Sequence, residues 1–388
     1  MRLRRAASTA LLLGAIPVLA AGQTTLKTYF AFGDSITKGI GDDRPEDQAG
    51  YPPRLQSLLV TAGVNATVMN FGNPGEKTPD GLTRIDAVLA NGKAGDALIL
   101  MEGTNDINKS ISLETTIFNL DTMAGKAEAR SMGVIQATVI PRPPDAKVDP
   151  DNLLTEQLNG RIRNLAGVRG RKEADPNEVF LKLPNLFSGF YSNAPDDHVG
   201  HPNAAGYDIL ARLFYDLIRG ADTVSPVPGI INPVNGATNI KPDATIQVDV
   251  WDFGAGIDLA NTFLLVNGQP VTVTPQGTAQ HASLVYQSPT PLSGSVTVGL
   301  RSRDLATPPN AIDRQLAKFT IQGAITGLQG DVNGDNRVDG MDLVLFGLHF
   351  GALRGTASYL AAADFNNDGT IDGLDLAILA ANFGQTKP

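Results

Sequence analysis

Between residues 24 and 222, short apolar runs alternate with amphipathic stretches. No other feature constrains the chain as much. Strands separated by helices are joined by crossovers, which make a mainly parallel sheet covered on both faces. The runs are "KTYFAFG", "NATVMNFG", "DALILMEG", "MGVIQATVI" and the weaker "VFLKL". Between them lie "PPRLQSLLVTAG", "TPDGLTRIDAVLANG", "LETTIFNLDTMAGKAEARSMG", "LLTEQLNGRIRNLAGV" and "GYDILARLFYDLIRG". Their apolar residues recur at helical spacing, as in Ile209, Leu210, Leu213, Phe214, Leu217 and Ile218. In such a sheet the ligand crevice lies beyond the carboxyl ends of the strands. "GDS", "FGNPG" and "EGTND" all fall there.

After Arg219 the pattern changes. "SPVPGIINPVNG" reads as a proline-rich linker, and residues 226–323 then alternate with period two in "ATIQVDVWD", "NTFLLVNGQPVTVTP", "GSVTVGLRSRD" and "KFTIQG". Short strands separated by Asn-Gly and Gly-Gln turns predict an antiparallel β-sandwich. From "NPVNGATNI" into "WDFGAGIDLANTFLLVNG" the stretch resembles bacterial Ig-like modules. A spacer is its expected role, with sugar binding as the alternative. A chain of 388 residues has room for these units, and 42% hydrophobic against 18% charged residues describes ordered globular material.

The last segment, residues 328–386, is an internal repeat. "DVNGDNRVDGMDLVLFGLHFG" (331–351) recurs as "DFNNDGTIDGLDLAILAANFG" (364–384), a shift of 33 positions. Oxygen-bearing side chains fall at Asp331, Asn333, Asp335, Asp339 and Asp342, and again at Asp364, Asn366, Asp368, Asp372 and Asp375. These are positions 1, 3, 5, 9 and 12 of a calcium loop, with a backbone carbonyl expected from Arg337 or Thr370 at position 7. Position 6 is Asn336 or Gly369, and both residue types accept a left-handed turn. Eight Asp against Arg337, Arg354 and Lys387 leave −5 from residue 331 onward, a repulsion that a bound cation removes. Position 12 is Asp where most EF-hands carry Glu, and no helix-length segment precedes either loop. In this the repeat resembles a dockerin: two loop–helix units that bind structural calcium and dock on a cohesin-type protein. "Gly-Met" and "Gly-Leu" stand at positions 10 and 11, where many dockerins carry polar partner-reading residues.

The opening residues "MRLRRAASTALLLGAIPVLAAG" read as an export signal over 1–21, against the alternative of an amphipathic N-terminal helix. Secretion is the expected localisation, with no membrane span. The chain has no cysteine, which rules out disulfides, thiolate metal sites and cysteine nucleophiles. A formal charge of −9 argues against a nucleic-acid partner.

Ser35, in "FGDSITKGIG", either caps a helix or presents a hydroxyl for chemistry. A nucleophilic serine needs a base, and the chain holds four histidines: His198, His201, His281 and His349. His281 belongs to the sandwich and His349 to the repeat, so the base lies in "DDHVGHPNAAGY". "FGDSIT", "NFGNPG", "GTND" and "GHPNAAGY" occur in that order, and together they resemble the four blocks of the SGNH (GDSL-type) hydrolases over residues 26–220. The resemblance implies a three-layer αβα, flavodoxin-like fold, with Ser35 as nucleophile and His201 as general base. The Ser35 N–H, the Gly75 N–H and the Asn105 amide are the implied oxyanion donors. The family's orienting Asp stands three residues before its histidine, where this chain has His198. Asp197, four before, is the expected substitute. His198 as base, with Asp196 or Asp197 beside it, is the other arrangement. The expected activity is hydrolysis of carboxylic esters, such as acetyl groups on a polysaccharide or a small ester, without a catalytic cofactor. Lipase, lysophospholipase, thioesterase or arylesterase activity at the same site is the alternative, as is a non-catalytic, calcium-dependent surface interaction protein.

Overall fold

β1 (Lys27–Gly33), β2 (Ala66–Gly72), β3 (Ala97–Met101), β4 (Gly133–Ala137) and β5 (Lys172–Ala174) form one parallel sheet. Their order is β2-β1-β3-β4-β5. The computed structural model describes residues 26–44, 50–192, 200–322 and 328–387. The expected signal segment lies outside these.

Along β1 and β3 successive residues feed opposite faces, as the pleat requires. Ala31 and Ile99 join Tyr51, Leu55 and Phe214 on one face. Phe30, Phe32, Leu98 and Leu100 join Ile85, Leu120 and Ile162 on the other. The helices that supply these layers are α1 (Ser35–Lys38), α2 (Tyr51–Thr61), α3 (Thr78–Val88), α4 (Thr104–Asn108), α5 (Leu113–Glu128), α6 (Leu153–Arg169), α7 (Pro176–Leu181), α8 (Leu186–Phe190) and α9 (Ala204–Arg219). The result is the three-layer αβα arrangement, and its strand order reverses direction between β1 and β3. A crevice opens at such a switch point, beyond the carboxyl ends of the strands.

One strand expectation fails. "VFLKL" is not the fifth strand. Its first residues close α7, because Asp175 accepts a hydrogen bond from the Glu178 amide and Pro176 stands at the first helical position. The fifth strand is instead the three-residue "KEA", too short to carry a periodic signal.

Eight strands follow: β6 (Val227–Asn232), β7 (Ile246–Trp251), β8 (Phe263–Val266), β9 (Gln269–Pro270), β10 (Gln276–Gly277), β11 (His281–Tyr286), β12 (Ser295–Arg303) and β13 (Ala311–Thr320). They make two antiparallel sheets, β10-β11-β7-β6 and β13-β12-β8-β9. Val248, Val250, Leu284, Val298, Leu300 and Phe319 share one core between them, so the unit is a sandwich. The proline-rich stretch expected as linker carries β6. Pro228 is tolerated there because β6 is an edge strand, with its register shifted between Pro228 and Ile231.

The sandwich is bound to the αβα unit through α6. Arg163 is buried, pairs with Asp175 at 2.6 Å, and donates from Nη1 to the Pro228 carbonyl at 2.8 Å. Asp175→Ala would leave that guanidinium buried without its counter-charge, a loss on the order of 3–5 kcal/mol. The expected outcome is a lower urea midpoint for unfolding. An unchanged midpoint would show that the pair contributes nothing net.

The C-terminal unit has α10 (Gly340–His349) and α11 (Gly373–Asn382), related by the same 33-residue shift as the sequence repeat. Val338 and Ile371, both fully buried, share a small core with Phe346, Phe365 and Leu379.

Candidate active site

β1 ends in Gly33, whose missing side chain is required: a Cβ there would stand 2.1 Å from the Met101 carbonyl oxygen of β3. The chain then turns directly into α1. Asp34 caps this helix by accepting the Ile36 amide at 2.9 Å, which leaves Ser35 as the first helical residue at the carboxyl end of the sheet. The capping role considered for Ser35 thus belongs to Asp34. Burial pushes the Asp34 carboxyl up to about 6, against the pull of the Ile36 amide and the His201 side chain.

His201 arrives from the other end of the domain, and its Nε2 lies 2.8 Å from Ser35 Oγ. The approach is held by contacts between the loop after α1 and the start of α9. Asp43 accepts the Ala204 amide at 2.8 Å, and the Tyr207 hydroxyl donates to the Ile40 carbonyl at 2.6 Å. Arg54 bridges Asp42, at 2.5 Å, and Asp208, at 2.9 Å. Asn203 caps α9 through the Gly206 amide, and its own amide donates to the Gly189 and Tyr191 carbonyls. Asp196, Asp197 and His198 lie outside the described residues.

Asn105, at the start of α4, is buried beyond the end of β3. Its Nδ2 donates to the Glu76 carbonyl at 2.9 Å and stands 3.4 Å from Asp34 Oδ2, a long and weak contact. Gly75 has φ +77°, and a Cβ there would meet no atom within 4 Å. It is therefore backbone conformation, and not a crowded approach, that calls for glycine. Among the described residues neither the Ser35 nor the Gly75 amide donates a hydrogen bond. Both are available to an oxyanion.

The Gly75 loop is pinned by its neighbour. Glu76 takes Arg84 Nη2 at 2.5 Å, Arg84 Nε at 2.8 Å and Asn73 Nδ2 at 2.7 Å. Beneath it Glu102 is buried with both carboxylate oxygens unpaired. Burial first, and then the charges of Glu76, Asp34 and Asp106, push its carboxyl well above the usual carboxylate range. Asp106, next to Asn105, accepts the Thr78 amide and hydroxyl and the Thr116 hydroxyl, tying α4 to α3 and α5.

In the C-terminal unit the two loops fold alike. Asp331 accepts the amides of Gly334, Asp335 and Asn336, and Asp364 accepts those of Asp368 and Gly369. Asn333 and Asn366 accept the Asp335 and Asp368 amides, and these two Asp accept the Arg337 and Thr370 amides in turn. Asp339 and Asp372 cap α10 and α11, while Asp342 and Asp375 complete a capping box from inside each helix. Asp342 and Asp375 are fully buried. Asn336 and Gly369 take φ of 66° and 92°, the left-handed turn expected at position 6. The hard oxygen donors fit calcium.

The profile of the GDSL-like lipase/acylhydrolase family matches residues 31–209, over the blocks that carry Ser35, Gly75, Asn105 and His201. Residues 31–209 are a GDSL-like lipase/acylhydrolase domain. The dockerin type I profile matches residues 329–383, so the C-terminal unit is a dockerin type I domain. A curated relative, esterase TesA of Pseudomonas aeruginosa, is 33% identical over 119 residues, which is 30% of this chain and 57% of that protein. Solved structures similar to the chain include two from other bacteria. A G-D-S-L family lipolytic protein of Veillonella parvula has 20% identity and a TM-score of 0.42, over 50% of this chain and 98% of its own. An acetylxylan esterase of Geobacillus stearothermophilus has 22% identity and a TM-score of 0.41, over 48% of this chain and 92% of its own.

Within the lipase/acylhydrolase domain, sequence reasoning missed Asp34 as cap, Glu76 and Arg84 as the brace of the Gly75 loop, and Glu102 beneath it. The cap had a signal in the "GDS" order. Arg84 had none, because it pairs with Glu76 from the middle of α3.

Proposed function

We propose that this protein hydrolyses carboxylic esters, with Ser35 as nucleophile and His201 as its base. The observation that carries the reading is the 2.8 Å contact between His201 Nε2 and Ser35 Oγ, made by residues 166 positions apart. In the proposed reaction Ser35 Oγ attacks the ester carbonyl carbon and its proton passes to His201 Nε2. The oxygen that becomes negative is met by the Ser35 and Gly75 amides, which donate to no other group among the described residues, and by Asn105 Nδ2, which gives up its long 3.4 Å contact with Asp34 for it. Collapse breaks the bond to the alcohol, which leaves with the proton from His201. A water molecule then gives its proton to His201 and attacks the acyl-serine, releasing the acid and restoring the hydroxyl.

A short acyl group, acetyl above all, on a polysaccharide is the proposed natural substrate. The dockerin domain supports it, since docking on a cohesin-type partner would hold the enzyme beside an extracellular polymer. Asp331, Asn333, Asp335, the Arg337 carbonyl, Asp339 and Asp342 would hold one structural calcium. Asp364, Asn366, Asp368, the Thr370 carbonyl, Asp372 and Asp375 would hold the other. Met341 and Leu374, at matched positions of the two helices, are about as exposed as each other, at 60% and 62%. They supply apolar surface for a partner. Among the described residues no helix is long and apolar enough to cross a membrane. Release of acetate from a panel of acetylated polysaccharides tests the substrate. Hydrolysis of long-chain acyl esters in preference to acetyl esters would overturn it.

The oxyanion role has its own test. Asn105→Ala should lower kcat on p-nitrophenyl acetate by roughly 10²-fold or more with KM little changed, because the lost hydrogen bond exists only in the transition state. A large rise in KM at constant kcat would make Asn105 a substrate-binding residue.

A further inference from the structure

A second acidic cluster lies far from the calcium loops, at one end of the sandwich. One carboxylate oxygen from each of Asp222, Asp252 and Asp304 lies within 4.8 Å of the other two. Asp222 follows the end of α9, where the chain leaves the lipase/acylhydrolase domain. Asp252 follows β7 and Asp304 follows β12, so the three residues come from the domain exit and from both sheets.

Acidic clusters are common, and local turns account for part of this one. Asp304 Oδ1 accepts the Ala306 and Asn310 amides and its Oδ2 accepts Asn310 Nδ2, while Asp222 Oδ2 accepts the Ala255 amide. Asp252 differs. It is 97% buried, being 3% exposed, and its Oδ1 takes the Gly254 and Gly256 amides at 3.0 and 2.7 Å. Its Oδ2 is buried with no hydrogen-bond partner at all. An ionised oxygen in that position is costly unless something positive meets it. Among the described residues no Lys or Arg pairs with any of the three. Arg303, the neighbour of Asp304 in the chain, is engaged elsewhere, with Asp258.

We infer that Asp222, Asp252 and Asp304 form a calcium site that clamps the exit of the hydrolase domain to the end of the sandwich. Three carboxylates offer the hard oxygen ligands that calcium takes, and water or backbone carbonyls complete its shell of six to eight. Bound there, the ion joins α9 to β7 and β12 across the junction that Arg163 bridges from the α6 side.

The only tryptophan of the chain, Trp251, immediately precedes Asp252. Terbium, a luminescent stand-in for calcium, is therefore excited through Trp251 when it occupies this site. The calcium loops have no tryptophan of their own. The experiment uses the full chain with Asp331→Ala and Asp364→Ala, so that the dockerin loops are silenced. Sensitised terbium emission, displaced by calcium in preference to magnesium, is the expected result. Asp252→Asn should lower it at least tenfold. Asp222→Asn, at a partly exposed position, should do the same if Asp252→Asn fails to fold. Calcium should also raise the thermal midpoint of the loop-silenced chain, and Asp222→Asn should remove that rise. Absence of sensitised emission from the loop-silenced chain overturns the site, as does emission unaltered in the Asn variants. Preferential displacement by magnesium overturns the assignment to calcium. A proton shared among the three carboxyls, in place of a cation, would show as no emission.

Discussion

Ser35→Ala is expected to lower kcat on p-nitrophenyl acetate by on the order of 10³-fold or more, and His201→Ala to do the same. The two groups act as a unit. An unassisted serine hydroxyl is a poor nucleophile, and a base without the hydroxyl has only water to activate. The double variant should therefore lose little beyond either single one. Folding is not the expected cause of the loss. The side-chain cap on α1 belongs to Asp34, and the carbonyl with which Ser35 accepts the Gly39 amide is kept in Ser35→Ala. His201 is held by the contacts of Asp43, Tyr207 and Asn203 around it. Circular dichroism on the same samples checks this. A mild His201→Ala beside a crippling His198→Ala would move the base three positions earlier in the sequence and overturn the assignment. A fluorophosphonate probe gives an independent readout, since only an activated serine reacts. Labelling of Ser35 in the parent and its absence in His201→Ala are expected.

Much of this site is legible in the sequence because each block sits where a strand must end. Ser35, Gly75 and Asn105 follow β1, β2 and β3, three strands whose apolar runs are long enough to recognise. His201 precedes α9, the helix with the clearest apolar face. What escapes the sequence is whatever acts through space between elements. The brace of Glu76 by Arg84 joins a loop to the middle of a helix. The Arg163–Asp175 pair joins a helix to a helix cap and then to a strand of the next domain. The calcium-like triad draws on residues 222, 252 and 304, which follow three different elements and have no common spacing. The loops of the dockerin domain are the opposite case. All their ligands lie within twelve residues, so a repeated spacing exposes them at once. Two of the misread segments follow the same logic. "KEA" pairs as a strand only because β4 is beside it, and "VFLKL" yields to the local strength of an Asp-Pro helix start.

Calcium removal is expected to unfold the dockerin domain and to leave hydrolysis of a small soluble ester intact. The reason lies in the balance within residues 328–386. Only Val332, Val338, Phe346, Ala352, Ala363, Phe365, Ile371 and Leu379 form its buried core. So small a core does not offset the conformational entropy of the segment. Its carboxylates repel one another, and Asp342 and Asp375 are fully buried among them. A bound cation reverses that repulsion, so binding free energy becomes folding free energy. Ser35 and His201 depend on none of these residues. Chelation with EGTA in the full chain also strips any ion at Asp222, Asp252 and Asp304, and Asp331→Ala with Asp364→Ala isolates the loops by deleting a first-position ligand from each. Circular dichroism and p-nitrophenyl acetate hydrolysis are read on one sample, with and without EGTA, for parent and variant. The variant should show in calcium the loss of helical signal that the parent shows only after chelation, with kcat unchanged. Hydrolysis falling in step with the helical signal would mean that the metal supports the catalytic domain, and the division of labour between the two domains would fail.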